Sequence, residues 1–253
     1  MHSLRSSKGR RWLPAMSTFT VTLLLSVTTP FSSSFALTSH VAGSVPAYTF
    51  EPKGYTMLAS PKHTIWAYNL PGKISPRKIP ATSNGSPVTM PVISVNGSYL
   101  LVRLPGRPNG SIAWVKRGGV NLSATPYRIK IYLRTMHLVL FYKGVKKMSA
   151  PIGVGTVTDP TPHGRFFVTS FAAPTQVGYG PFVMVTSAHS NTITDWQQSG
   201  DALIAIHGPL GADAQIGRSG ARVSHGCIRM HVRDQRRLSV VPIGTPIGIT
   251  GYH

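Results

Sequence analysis

Residues 202–230 read ALIAIHGPLGADAQIGRSGARVSHGCIRM and contain the features that decide the fold and the chemistry of this chain. The first five residues form a short apolar run that predicts a buried strand, and His207 and Gly208 stand at its end. A glycine-rich stretch follows and predicts a loop. The loop leads to SHGCIRM at residues 224–230, which contains Cys227, the only cysteine in the 253 residues.

Cys227 has no partner for an intramolecular disulfide, so it is a reactive thiol, an intermolecular bridge or an inert core residue. Its neighbours favour the first interpretation. The thiolate is the nucleophilic form of cysteine, and nearby imidazole and guanidinium groups, here His225 and Arg229, lower the pKa of a thiol. Gly226 lets the backbone pass close to a bound substrate, and amides beside a nucleophile can donate to an oxyanion. The pattern therefore indicates a nucleophilic cysteine.

His207 is the candidate general base. A histidine at a strand end, beside a glycine, is well placed to accept the proton of a thiol. Taken alone, such a histidine is more often a structural residue, and both interpretations stay open at this point. His225 precedes Cys227 by two residues, so in an extended backbone their side chains would lie side by side, roughly 6–7 Å apart. That spacing favours electrostatic support over proton transfer.

A metal site built from His207, His225, Cys227 and His231 is a competing interpretation. These residues lack the Cys-x2-Cys or His-x3-His spacing that is typical of zinc sites. We therefore expect neither a metal ion nor a cofactor.

The composition favours a β-rich protein. Hydrophobic residues make up 42% of the chain, enough for a sizeable core, which excludes a wholly disordered basic chain. The 25 glycines and 21 prolines favour many short strands over a helical bundle. The single cysteine excludes a disulfide framework.

Residues 1–36 have the layout of a secretory signal peptide. A basic region with Arg5, Lys8, Arg10 and Arg11 precedes an apolar stretch, and the small residues Ser34 and Ala36 stand at −3 and −1 of a cleavage position after Ala36. The apolar stretch is short for a membrane span, which needs about 20 residues. We expect export to the cell envelope. The alternative is an uncleaved N-terminal anchor, which would be the protein's only contact with the membrane.

The charge predicts anionic partners. Lys and Arg number 26 against 6 Asp and Glu, a formal charge of +20, of which the segment 1–36 carries four positive charges and no negative one. Such a chain is attracted to polyanions over long range. The basic residues are scattered and no nucleic-acid-binding motif accompanies them. We therefore expect anionic cell-envelope polymers and not nucleic acid as partners.

The rest of the chain divides into a linker at residues 37–49, a β module at 50–122 and a second β-rich unit at 126–251. In the first unit short apolar runs alternate with turn signals, and Asn96-Gly97 between two such runs predicts a hairpin. Its rhythm resembles a small SH3-like barrel, and we expect it to fold alone and to be dispensable for chemistry. The second unit is predicted to be mostly β, with one helix at residues 232–240.

His207-Gly208, the glycine-rich loop after it and SHGCIRM at residues 224–230 together resemble the signature of the L,D-transpeptidase (YkuD-type) catalytic domain. The resemblance covers about residues 126–250. Further matching segments are residues 127–129, 151–155, 161–166, 179–181 and 244–247.

The resemblance implies a β-sandwich catalytic domain that acts on peptidoglycan stem peptides. Cys227 would be the nucleophile and His207 the proton acceptor and donor. The backbone amides of Gly226 and Cys227 would bind the oxyanion, with Ser224 and His225 as supporting residues. Arg229 would brace the loop or bind a substrate carboxylate, and the bracing role is the preferred interpretation.

The expected reaction is acyl transfer through a thioester on Cys227, which a side-chain amine of a neighbouring stem takes to give a 3→3 cross-link. If water takes the thioester, the same site is an L,D-carboxypeptidase that trims tetrapeptide stems. A non-catalytic cell-wall-binding protein is the alternative from another class.

Overall fold

A computed structural model describes residues 54–218 and 221–251. The predicted signal peptide at 1–36, the linker at 37–49 and the first residues of the β module lie outside this range. All described residues belong to one compact unit. Among them, no helix has both the length and the apolar character that crossing a membrane requires.

Eighteen strands account for most of the regular structure in the described residues. The first nine are β1 (Thr56–Pro61), β2 (Ile65–Leu70), β3 (Lys73–Ile79), β4 (Thr82–Ser83), β5 (Ser86–Pro87), β6 (Met90–Asn96), β7 (Tyr99–Arg103), β8 (Ile112–Lys116) and β9 (Val120–Thr125). The others are β10 (Tyr127–Tyr132), β11 (His137–Tyr142), β12 (Val145–Gly155), β13 (Gly164–Ala172), β14 (Val183–His189), β15 (Leu203–His207), β16 (Arg222–Ser224), β17 (Ile228–Met230) and β18 (Pro246–Thr250). A 3-10 turn (Arg117–Gly119) precedes β9, and one α-helix, α1 (Val232–Arg236), follows β17.

Seven strands of the first half form one antiparallel sheet in the order β3-β2-β8-β7-β6-β1-β9, while β4 and β5 form a separate two-stranded ribbon. The predicted hairpin is confirmed, because β6 pairs with β7 and Asn96 stands opposite Tyr99. Gly97 occupies the turn with a φ of +55°, a conformation that glycine adopts without steric cost. The likeness of this unit to an SH3-like barrel stays a prediction.

The second half forms a nine-stranded sheet in the order β11-β10-β18-β13-β14-β15-β17-β12-β16. Because β11 also pairs with β12, eight of these strands close into a ring and β16 remains at the edge. Three neighbouring pairs are parallel, namely β10 with β18, β12 with β16, and β15 with β17. The predicted mainly-β fold class is confirmed, and this sheet is barrel-like.

The strands form because apolar and polar side chains alternate along them, which gives each strand one buried and one exposed face. In β10, Ile129 and Ile131 are buried in the core of the ring, whereas Arg128 and Lys130 point to solvent. The helix is shorter than predicted: beyond Arg236 the chain continues in turns closed by i→i−3 hydrogen bonds, which draw Leu238 into the core.

The two sheets share apolar packing. Phe167 belongs to β13 of the ring, yet its side chain, 1% exposed, packs in the core of the first sheet with residues such as Met90 and Leu104. A buried hydrogen bond joins Thr125 Oγ1 to Thr245 Oγ1 over 3.2 Å. The first sheet thus covers part of the outer surface of the ring.

Candidate active site

The pairing of β15 with β17 brings His207 and Cys227 to one place. His207 is the last residue of β15, and Cys227 directly precedes β17. The two strands are parallel, with His207 opposite Arg229, so Cys227 lies level with Ala205, two residues before His207. Side chains two residues apart along a strand point to the same face. The register therefore places His207, Arg229 and Cys227 on a common face.

Five of the six predicted site residues line one cavity of about 100 Å³. They are His207, Ser224, His225, Cys227 and Arg229. Tyr179 and Trp196 line the same cavity, and Cys227 is partly exposed within it.

An extended backbone from His225 to Cys227 was assumed above, but the chain is not extended there. It bends between β16 and β17, and Gly226 has a φ of +117°, a backbone conformation that side-chain-bearing residues rarely adopt. A Cβ atom at this position would lie 2.7 Å from Ile204 Cδ1. The assumption is wrong because the turn needed to present the thiol requires a glycine.

A backbone hydrogen bond fixes the tautomer of His207. Its Nδ1 lies 2.8 Å from the carbonyl oxygen of Gly208, and since a carbonyl only accepts, Nδ1 carries the proton. In the neutral ring Nε2 is then the acceptor. The ring also packs on Tyr179, with the two centroids 4.6 Å apart. His207 is thus oriented as a base whose free lone pair is on Nε2.

Glycine is needed at 208 because another part of the chain touches it. The Gly208 amide donates to the carbonyl of Tyr179 over 2.7 Å, and a Cβ at 208 would lie 2.5 Å from Gly178 O. Gln235, from α1, donates to the same Tyr179 carbonyl over 3.2 Å. Tyr179 is therefore held against the imidazole from two sides.

Burial makes the pair neutral at rest. It lowers the pKa of His207 to about 4, with a further lowering from the positive charge of Arg229 that the Gly208 hydrogen bond opposes. Burial raises the pKa of Cys227, although the Ala205 amide and Arg229 act in the opposite direction. The expected net lowering of the thiol pKa is wrong, because desolvation outweighs the nearby cation. At neutral pH the site holds a thiol and a neutral imidazole.

Ser224 and Thr161 brace the loop that carries the thiol. The Ser224 hydroxyl donates to the Cys227 carbonyl over 2.6 Å and accepts from the Gly226 amide over 3.2 Å. The Thr161 hydroxyl donates to the Gly226 carbonyl over 2.7 Å and accepts from the Gly155 amide over 2.9 Å. Ser224 therefore has the supporting position expected of it, and the Gly226 amide is engaged by Ser224 in this structure.

Arg229 lies close enough to His207 and Cys227 to interact with both, and it has an unused hydrogen-bond donor. Its Nη1 lies 3.4 Å from the Leu210 carbonyl, a long contact, and its buried Nε has no partner among the described residues. Burial lowers the pKa of this guanidinium, while Cys227 and Tyr179 act to raise it. A half-buried cation whose buried Nε is an unused donor is suited to an anionic group of a ligand.

His225 lies in the outer, exposed part of the site. Its side chain is exposed and its ring packs on Trp196, with the centroids 5.1 Å apart. Within the described residues, no group of three or more His, Cys, Asp or Glu side chains is arranged to hold a metal ion. His231, which the competing metal interpretation required, pairs instead with Asp213 over 2.9 Å.

Three further residues of the site had no assigned role in the sequence analysis. Thr161 and Tyr179 lie in segments that matched the signature, so the signal was present, but their contacts depend on which loops the fold brings together. Trp196 lies outside every motif. Only the three-dimensional arrangement shows that it forms part of the cavity wall.

Comparison with known proteins identifies one family. The family model for the L,D-transpeptidase catalytic domain, YkuD, matches residues 126–249. The YkuD protein of Bacillus licheniformis is 31% identical over 131 residues, which cover 51% of this chain and 69% of that protein. The YkuD protein of Bacillus subtilis is 30% identical over 125 residues, covering 49% of this chain and 66% of that protein.

Among solved structures, the catalytic domain of the E. faecium L,D-transpeptidase is 25% identical, with a TM-score of 0.35, and the match covers 49% of this chain and 96% of that domain. An L,D-transpeptidase from Mycobacterium smegmatis is 13% identical with a TM-score of 0.39, and the match covers 66% of this chain and 92% of that one.

Proposed function

Because the chain belongs to the L,D-transpeptidase (YkuD) family of enzymes, we propose that it is an exported enzyme that joins peptidoglycan stem peptides by 3→3 cross-links through a thioester on Cys227. The observation that carries this proposal is the cavity lined by Cys227, a neutral His207 whose Nε2 is the acceptor, and the half-buried guanidinium of Arg229. Acyl transfer needs a nucleophile, a base and stabilisation of charge, and these three groups supply them.

In the first step the Cys227 sulfur attacks the carbonyl carbon of the third, L-centred stem residue while its proton passes to His207 Nε2. The carbonyl oxygen becomes an oxyanion, which the Cys227 backbone amide stabilises. The Gly226 amide joins it if its bond to Ser224 is released. Collapse breaks the peptide bond, and His207 returns the proton to the departing amine of the terminal D-amino acid.

In the second step a side-chain amine of a neighbouring stem attacks the thioester. His207 removes a proton from this amine, the carbon–sulfur bond breaks, and His207 passes the proton to the departing sulfur, which restores the Cys227 thiol and the neutral imidazole. A thioester suits both steps because it forms readily and remains reactive to amines. Attack by water in place of the amine gives the L,D-carboxypeptidase reaction.

Arg229 is proposed to bind the terminal carboxylate of the donor stem. The unused Nε and the weak contact to Leu210 support this role over the bracing role that the sequence favoured. A guanidinium and a carboxylate form short, charge-assisted hydrogen bonds. His225, exposed and packed on Trp196, is proposed to support the cavity wall.

The test is product analysis after incubation with a disaccharide-tetrapeptide. Cross-linked dimers that have lost one terminal residue support transpeptidation, and tripeptide alone supports carboxypeptidase activity. Unchanged substrate would leave the non-catalytic, wall-binding alternative. Cys227→Ala is the control, and products that persist in this variant would contradict the proposal.

The envelope location and the anionic partners rest on the N-terminal segment and on the charge. N-terminal sequencing of protein recovered from the envelope tests export, and recovery only from the cytosol with Met1 retained contradicts it. Binding to an anionic polymer should weaken as salt rises, because salt screens long-range attraction. Binding that is insensitive to salt would contradict the proposal that charge attraction holds the polymer.

A further inference from the structure

One wall of the catalytic cavity is formed by residues 190–202, the wall segment, which connects β14 to β15. Ser190, Ile193, Trp196 and Ala202 of this segment line the cavity together with Cys227 and His207. The indole of Trp196 rests on the ring of His225, two residues before the thiol. The wall segment therefore lies beside the thiol and would border a substrate bound there.

The wall segment is exposed, and its own hydrogen bonds hold it only in part. Most of residues 191–200 are exposed. Within the segment the Ser190 amide donates to the Ala202 carbonyl over 2.8 Å, and the Trp196 amide donates to the Asp201 carbonyl over 2.9 Å. Gln197 and Gln198 have φ values of +52° and +62°, in the left-handed region that non-glycine residues seldom occupy. Such conformations persist where surrounding contacts hold them, so contacts from outside the segment matter as well.

Side-chain contacts from the first sheet add to these bonds. Residues 104–111, the clamp loop, connect β7 to β8 and are closed by hydrogen bonds of Ser111 to Leu104 and Pro108. Arg107 of this loop donates through all three guanidinium nitrogens to the wall segment. Nε reaches Asp201 Oδ1 over 3.0 Å, Nη1 reaches Ser190 O over 2.9 Å and Nη2 reaches Ile193 O over 3.1 Å. One side chain thus ties both ends of the segment together.

Asn109 adds a second set of contacts from the clamp loop. Its amide nitrogen donates to the carbonyl of His189 over 2.7 Å and to Asn191 Oδ1 over 3.0 Å, and its oxygen accepts from the His189 amide over 2.9 Å. His189, buried at the start of the wall segment, donates from Nε2 to the Pro105 carbonyl over 2.9 Å. The clamp loop therefore holds the point at which β14 leads into the wall.

Asp201 is the charged centre of this interface. Its Oδ2 lies 2.7 Å from His189 Nδ1, and its Oδ1 accepts from both Arg107 and the Ala202 amide. Although burial acts to raise its pKa, the hydrogen bonds from His189, Ala202 and Arg107 hold the pKa of Asp201 below its ordinary value. Asp201 is therefore ionised at neutral pH and can pair with the guanidinium.

We propose that the clamp loop holds the wall segment in its substrate-binding conformation, so that Arg107 and Asn109 are positioning residues for the acyl donor. The substrate-binding part of this inference rests on the proposed function above. The structural part is that removal of Arg107 loosens residues 190–202, and it holds whether or not the proposed function is correct. The first sheet would then be a component of the active site, although it contributes no group to the chemistry.

The test compares Arg107→Ala with Arg117→Ala, which removes one positive charge from an exposed position elsewhere on the same sheet. The first readout is hydrogen–deuterium exchange of residues 190–202. The second is the rate at which iodoacetamide alkylates Cys227, since this small reagent does not need the wall. The third is KM and kcat with a disaccharide-tetrapeptide donor.

Arg107→Ala should exchange faster in the wall segment and should be alkylated at least as fast as the unaltered protein. Its KM for the donor should rise about tenfold or more, because hydrogen bonds to a charged group are lost. Arg117→Ala should match the unaltered protein in all three readouts. Arg107→Lys, which keeps the charge but not the three-pronged geometry, should restore part of the donor affinity.

Unchanged exchange in residues 190–202 of Arg107→Ala would overturn the proposal. Exchange that rises throughout the protein would also overturn it, because a general loss of structure and not a local anchor would then explain the effect. If the unaltered protein does not turn over the donor, the proposed function fails, yet exchange and alkylation still decide whether the clamp loop holds the wall.

Discussion

At the level of single residues, the site pairs a thiol that burial keeps protonated with an imidazole that burial keeps neutral. A cysteine enzyme with a preformed thiolate needs only to position its substrate. In the proposed mechanism the proton moves during attack, and the Nδ1 hydrogen bond of His207 to Gly208 leaves Nε2 ready to receive it. Base catalysis by His207 would then determine how the rate depends on pH.

The pH profile of Cys227 acylation tests this account. Because the pKa of His207 is lowered to about 4, the base is already neutral above that value, and the rate should be nearly constant through the neutral range. In His207→Ala the rate should fall about 10²–10⁴-fold at neutral pH. It should then rise steadily with pH, because attack depends on the small thiolate fraction of a thiol with a raised pKa.

His225→Ala is the matched control, since it removes the other histidine of the same cavity. It should lose less activity than His207→Ala and keep the flat profile, because His225 contacts Trp196 and lies outside the proton path. If His225→Ala were as inactive as Cys227→Ala while His207→Ala kept most of its activity, the two roles would have to be exchanged.

Gly226→Ala should destabilise the protein by about 1–3 kcal/mol, because a non-glycine residue at an unfavourable φ carries backbone strain. The added Cβ would also press against Ile204 Cδ1, 2.7 Å away. Urea unfolding measures this loss. Gly248→Ala is the control, since a Cβ there meets nothing within 4 Å. Equal stability of the two variants would contradict the structural role of Gly226.

At the level of the secondary-structure elements, the sequence predicted the alternating strands well and the unpatterned ones poorly. The strands around Asn96-Gly97 and the apolar run before His207 agree with prediction, because local sequence determines both. Strand β3 was missed, since it carries Pro76 and several basic residues and owes its place to pairing with β2. The contact of Arg107 with Asp201 spans 94 positions, and no local pattern indicates it.

The loop that carries Cys227 depends on a hydroxyl from another segment. In Thr161→Val the Gly155 amide and the Gly226 carbonyl would lose their buried partner, at a cost of about 1–3 kcal/mol. We expect a lower unfolding midpoint together with slower acylation. Thr158→Val, at an exposed position, should change neither. If the two variants behaved alike, Thr161 would not be a brace.

At the level of the whole molecule, the dispensability of the first β unit stays a prediction, and two contacts argue against it. The sequence suggested that the first β unit is dispensable, but Phe167 of the ring lies in the core of the first sheet and Arg107 reaches the cavity wall. A truncated protein that begins at Pro126 would expose Phe167. Loss of this buried side chain should lower the free energy of unfolding by roughly 1.5–3 kcal/mol. We expect a lower unfolding midpoint and slower acylation than in the full chain. A truncated protein equal to the full chain in both would support the original prediction.

If Cys227 forms the acyl-enzyme, mass spectrometry of the intact protein during incubation with a disaccharide-tetrapeptide should detect it. We expect a mass increase equal to the donor minus its terminal amino acid. The adduct should map to the peptide that contains Cys227, and Cys227→Ala should show none. An adduct on another residue, or turnover of the donor by Cys227→Ala, would show that Cys227 is not the nucleophile.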